Sequence, residues 1–220
     1  MRTIFIGDIH GCADELDRLL KKIAFQSERD RLFLTGDAFT KGPAPRAVWD
    51  QIQDTNAHMV MGNHDAELLV KLLSPPHSLK LDHQRILDAL APIADKLIPW
   101  LQNLPLYIKK ETFLLVHAGI HPEKGLEGTS RDQFLAIRTW PPQSDIEGQR
   151  WHDVYRPNHT LIVFGHDAPG DLVIKRREDD TPYLIGLDSG CVYGNQLTAY
   201  ILEEDRIEQV QSTQPRAFKS

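Results

Sequence analysis

The sequence predicts an α/β fold with a largely parallel first sheet and a second, strand-rich layer. Two observations carry this. A strand, a turn and a helix recur three times in the first 73 residues, and the later half is dominated by short strand-like runs. Residues 3–6 are apolar or β-branched and end in Gly7-Asp8, which reads as a buried strand entering a turn. Leu16, Leu19, Leu20 and Ile23 then recur at helical spacing, with Asp14 and Glu15 early and Lys21 and Lys22 late. That charge order suits the helix dipole. Residues 32–34 make the next strand, ending in Thr35-Gly36-Asp37, and a Gly42-Pro43 turn leads into a helix over 46–53. Residues 59–61 make the third strand, ending in Gly62-Asn63-His64-Asp65, with a helix over 66–73 behind it. Repetition of this unit is the mark of parallel pairing. Pro75-Pro76 breaks the pattern, and 82–101 is Leu- and Ile-rich at helical spacing. Strand-like runs follow at 107–109, 113–117, 161–164, 172–174, 183–187 and 197–202, with one clear helix at 132–138.

With 220 residues, 41% hydrophobic, the chain can bury a core without staples. No linker or composition shift divides it, so the expectation is a single domain over 1–210, with a helical cap-like insert at 75–103 and a loose tail at 211–220. The net charge of −6 argues against general nucleic-acid binding. Two cysteines exclude a disulfide-rich secreted scaffold, and the apolar runs are too short to span a bilayer. A strand-like run begins almost at once, so no signal peptide is expected and a cytoplasmic location is. Oligomeric state is left open.

Five glycine-marked clusters each directly follow an apolar run: Gly7-Asp8-Ile9-His10-Gly11, Gly36-Asp37, Gly62-Asn63-His64-Asp65, His117-Ala118-Gly119 and Gly165-His166-Asp167. One Gly-Asp after a strand is ordinarily a turn. Five Asp, Asn and His clusters at five strand ends are different, because ligands bind α/β sheets beyond the carboxyl ends of strands. In an extended Asp8-Ile9-His10, side chains 8 and 10 would share a face and reach one ion. Imidazole and carboxylate together suit Mn, Fe or Zn.

This ordered motif set resembles the calcineurin-like metallophosphoesterases, and within them the phosphoprotein phosphatase superfamily. The resemblance covers residues 4–202 and implies two mixed β-sheets packed as a sandwich with flanking helices. It implies two divalent or transition-metal ions, manganese first, with Fe, Zn, Co or Ni as alternatives. By motif, Asp8 and His10 would hold the first ion, Asp37 would bridge, and Asn63, His117 and His166 would hold the second. His64 would be the general acid, and Lys41 and Arg138 would meet substrate phosphate. The reaction implied is attack of a metal-bound hydroxide on phosphorus.

The second motif departs from that of protein phosphatases, which usually carry Gly-Asp-x-x-Asp-Arg-Gly. Here Thr40 replaces the Asp expected behind the catalytic His, and Lys41 replaces the Arg, keeping the charge but losing the planar fork. Gly-Asp…Gly-Pro, Gly-Asn-His-Asp, the block 164–168 and the block 186–199 look more like the symmetrical diadenosine-tetraphosphate hydrolases. A nucleoside diphosphate leaves more readily than a serine alkoxide, so a less polarised acid would serve it. The leading expectation is therefore hydrolysis of dinucleoside polyphosphates. A serine/threonine protein phosphatase acting on phosphoproteins is the main alternative, with a capped-RNA pyrophosphohydrolase and a non-catalytic scaffold behind it.

Overall fold

A computed structural model describes residues 1–74, 76, 78–142, 148–167 and 172–215. Its strands are β1 (Arg2–Ile6), β2 (Asp30–Leu34), β3 (His58–Met59), β4 (Tyr107–Lys109), β5 (Phe113–Val116), β6 (Leu161–Phe164), β7 (Val173–Arg176), β8 (Pro182–Gly186), β9 (Gln196–Ile201) and β10 (Arg206–Gln211). Its α-helices are α1 (Ala13–Lys22), α2 (Pro45–Thr55), α3 (Asn63–Leu73), α4 (Leu81–Leu90), α5 (Ala94–Gln102), α6 (Arg131–Ala136) and α7 (Trp151–Val154).

The strands form two five-stranded mixed sheets, ordered β10-β9-β1-β2-β3 and β4-β5-β6-β8-β7. In the first, β1, β2 and β3 are parallel while β9 and β10 run antiparallel. In the second, β5, β6 and β8 are parallel, with β4 and β7 antiparallel at the edges.

The period-2 alternation of strand side chains builds the layers. Phe5, Phe33, Phe113, Leu115, Leu161, Val163, Ile185 and Tyr200 meet between the sheets. Phe5 sits edge-on to Phe113 at 4.8 Å between ring centroids. The alternate residues Ile4, Ile6, Leu32 and Leu34 face outward to a cluster with Leu16, Leu19, Val48 and Ile52 of α1 and α2. On the second sheet, Leu114, Val116, Ile162 and Phe164 face Phe134 and Trp151. Each β-α unit therefore hides both faces of its strand, which is why these strands read as unbroken apolar runs.

The expected insert is helical: α4 and α5 occupy it, and Ile86, Leu90, Leu97 and Leu101 join the core of the first sheet. Pro75, where it was expected to begin, lies outside the described residues. The tail needs a correction. Gln211 completes β10, and Thr213 donates from its backbone N and its Oγ1 to Glu15 Oε1, both at 2.7 Å. β10 gives a weak signal because Val210 alone of its six residues is buried in the core, the rest being held by pairing with β9. The last five residues of that tail lie outside the described set.

Candidate metal centre

Three parallel strands of each sheet end at one seam, and the clusters lie there. Asp8 follows β1, Asp37 follows β2, and Asn63 and His64 open α3 just after β3. His117 follows β5 and His166 follows β6. Asp8, His10, Asp37, His117 and His166 are all buried, none more than 5% exposed.

Two triads share one carboxylate. His10, Asp37 and His64 bring ligand atoms within 4.8 Å of one another, and so do Asp37, His117 and His166. Asp37 Oδ2 stands 3.6 Å from His10 Nε2 and 3.6 Å from His117 Nε2. Asn63 Oδ1 lies 3.0 Å from His117 Nε2, and His166 Nδ1 lies 3.2 Å from the same atom. Thr35 O meets His117 Nδ1 at 2.8 Å and orients the ring.

Asp8 sits differently from the extended Asp-x-His expectation. His10 has φ 48°, so residues 8 and 10 do not share a strand face. Asp8 Oδ1 accepts from Thr35 Oγ1 at 2.7 Å and Oδ2 accepts from the His166 backbone N at 3.1 Å. It thus touches residues at the seam and belongs to neither 4.8 Å group. His10, Asp37, Lys41 and His166 all have positive φ. Strain of about 1–3 kcal/mol per such residue persists where surrounding structure over-determines it, as at ligand sites.

Thr40 is also placed otherwise than expected. Its Oγ1 lies 3.1 Å from His10 Nδ1, so it supports His10 and does not stand behind His64. The acid that raises the His64 pKa is Glu67, one turn further along α3. Lys41 Nζ is 3.2 Å from His10 Nε2 and 5.3 Å above the Tyr193 ring. Arg138 donates from Nη2 to His166 O at 3.4 Å, beside the second triad, and its Nε is 3.7 Å from Asp167. Ala168, the last residue of that block, lies outside the described set.

Sequence reasoning missed three contributors. Asp65 accepts from the backbone N of Asp37 at 2.6 Å, of Ala38 at 3.1 Å and of Gly62 at 3.2 Å, tying the second and third clusters together. Thr35 holds both Asp8 and His117. Asp188 follows β8 and is buried near Asp8. The signal for Asp188 was present: Leu187-Asp188 is one more apolar strand end followed by an acid.

Burial drives the clustered carboxyls and imidazoles towards their neutral forms. It lifts Asp8 well above the carboxylate range, with the charges of Asp188 and Asp37 adding, and lifts Asp37 with the charge of Asp65 adding. It depresses His10 well below its ordinary value, takes His64 to about 4 with Lys41 adding, and takes His117 to about 3. His166 is pushed down as well, and its buried Nε2 has no hydrogen-bond partner. Deprotonated imidazoles, an orphaned ring nitrogen and several carboxylates whose charge lacks compensation are the donor set a divalent cation satisfies. The residues present fit a pair of such ions.

Glycines admit this crowding. A Cβ on Gly165 would lie 2.0 Å from Asp8 Oδ1 and 2.7 Å from Thr35 Oγ1. Gly165→Ala is expected to destabilise the protein by about 1–3 kcal/mol and to displace Asp8. Thermal unfolding with and without added Mn²⁺ reads both effects; an unchanged metal-induced shift would show that Asp8 stays in place.

Solved structures share this architecture. One named as a candidate diadenosine tetraphosphatase superposes with a TM-score of 0.77 at 32% identity, covering 96% of this chain and 93% of that one. A Saccharomyces cerevisiae protein serine/threonine phosphatase superposes at 0.63 with 14% identity, a likeness of fold alone. Two curated relatives are named symmetrical bis(5'-nucleosyl)-tetraphosphatase. The one from Serratia proteamaculans is 41% identical over 94% of this chain and 93% of its own length. The one from Actinobacillus succinogenes is 38% identical over 94% and 96%. The model of the calcineurin-like phosphoesterases matches residues 1–210, which take in every strand but the last residue of β10. The chain belongs to that family and is a hydrolase of phosphoester or pyrophosphate bonds.

Proposed function

We propose that the chain hydrolyses dinucleoside polyphosphates such as diadenosine tetraphosphate, using two divalent ions, manganese first. The observation that carries the reading is the doubled triad sharing Asp37, in a chain similar along nearly its whole length to proteins named for that substrate. Asp8, His10 and Asp37 would hold one ion, and Asp37, Asn63, His117 and His166 the other. When bound, the pair neutralises phosphate charge and acidifies water.

The chain's own groups do the rest. Lys41 and Arg138 draw phosphate oxygens to the seam. His64 carries a proton to the departing phosphate oxygen, and the incoming negative charge favours the protonated ring that burial and Lys41 disfavour. Two phosphates already share the charge of the leaving diphosphate, so it needs only modest help from this acid. Beside His64, Thr40, Lys41, Glu67, Lys71 and Ile86 line a cavity of about 240 Å³. A recess of that size beside His64 offers room for part of a nucleotide. A cytoplasmic location belongs to the same reading, in keeping with two free, buried cysteines.

The test is a matched panel for the manganese-loaded protein: diadenosine tetraphosphate, a phosphoserine/phosphothreonine peptide and a capped RNA. Preferential release of ADP from the dinucleotide is expected. Preferential dephosphorylation of the peptide, or decapping, would overturn the assignment.

A further inference from the structure

We propose that Cys12, Glu15 and Cys191 form a separate metal site that takes a thiophilic divalent ion of the Zn²⁺ type. The three come from distant parts of the chain. Cys12 directly precedes α1, Glu15 lies in its first turn, and Cys191 opens the short turn after Asp188. All three are buried, at 0%, 0% and 1% exposure. Their Sγ, carboxylate and Sγ atoms lie within 4.8 Å of one another. Tetrahedral Zn²⁺ with sulfur at about 2.3 Å and oxygen at about 2.1 Å needs ligand atoms roughly 3.5–3.8 Å apart, a closure of about an ångström at most.

The second observation is Glu15 itself. Oε1 is held by Thr213, but the buried Oε2 has no hydrogen-bond partner. Burial pushes this carboxyl up, and hydrogen bonds from Thr213, its own backbone N and Gln214 more than offset it, with Arg18 standing 3.6 Å from Oε1, so the group stays ionised. A buried anionic oxygen with no donor is costly. An ion entering here displaces both thiol protons to solvent and forms two metal–sulfur bonds and one metal–oxygen bond, with no change of oxidation state. Two thiolates select a softer ion than the nitrogen and oxygen donors of the Asp37 centre do. Such an ion pins the Asp8–His10 loop to the turn after Asp188 and, through Glu15 and Thr213, to the exit of β10.

Cobalt titration of the reduced, metal-free full chain tests this. The chain has only two cysteines, so any thiolate-to-cobalt charge-transfer band reports this site and never the Asp37 centre. One equivalent of such a band is expected, removed by Zn²⁺ and not by Mn²⁺. Cys191→Ser should abolish it while the weaker visible bands of cobalt at the Asp37 centre remain. Glu15→Gln should keep the band but weaken cobalt binding by at least about tenfold. If Cys191→Ser does not fold, the Zn²⁺/Mn²⁺ competition on the unaltered chain decides. A folded, reduced protein with no charge-transfer band, or one whose cysteines are found joined as a disulfide after aerobic purification and take no cobalt once reduced, overturns the proposal. Loss of the visible bands alone would count against the Asp37 centre and leave this site standing.

Discussion

His64→Asn is expected to lower kcat by about 10²–10⁴-fold while leaving metal content nearly intact. The position allows two roles. The backbone N of His64 donates to Asp37 Oδ1 at 2.9 Å, fixing the residue at the start of α3 beside the shared carboxylate. Its ring stands 5.2 Å from that of His10 and within the first triad. A proton donor and a ligand would both fit that place, and metal analysis separates them. A donor leaves the ions bound and makes the defect grow with the basicity of the leaving group. A ligand takes an ion away with it. Full activity on a basic leaving group would sink the acid role. Glu67 supplies a companion test: its charge raises the His64 pKa. Glu67→Gln should therefore move the alkaline limb of the kcat profile to lower pH, and Lys41→Met should move it to higher pH.

Asp37→Asn is expected to weaken binding of both ions by more than about 100-fold each, with turnover lost alongside. Asp37 is shared: Oδ2 faces His10 and His117 at the same 3.6 Å, so one substitution reaches both triads. His117→Ala should remove a single ion by comparison. Equilibrium dialysis with elemental analysis counts them, and two ions retained in Asp37→Asn would rule out the sharing. Stability moves the other way. Burial raises the Asp37 pKa, so its contribution is present at low pH and lost as pH rises through that raised value. A neutral amide escapes this loss. The metal-free variant should melt at or above the metal-free unaltered protein at pH 7.5, with a gap that narrows on acidification.

The parts of the fold that were legible in sequence are those governed by local pattern. Gly-terminated apolar runs located β1, β2, β5 and β6, and helical spacing located α1, α4 and α5. What escaped was set by tertiary context. β10 is polar and exists through its pairing with β9. α3 starts at Asn63 and not at 66 because Asp65 reaches back to the Gly62 N, placing two site residues in its first turn. The candidate ligands stand out in the sequence because each lies just beyond a strand end, in a cluster that holds a glycine. Their pairings do not. Left-handed backbone at His10 breaks the extended Asp8-x-His10 spacing, and the hydroxyl of Thr40 finds His10. Neither follows from spacing along the chain.

The first sheet has a consequence for the order of events during synthesis. Its central strand β1 is made first, yet one of its edges stays bare until β9 arrives, since Ile4 pairs with Ile201 and Ile6 with Ala199. Contacts so remote in sequence form late and slowly. A nascent chain on the ribosome therefore carries an apolar, unpaired strand edge while residues 7–195 are made. Shielding that edge until the last strands emerge is a task for a chaperone, and shortening the chain before β9 leaves it open to pairing with another copy.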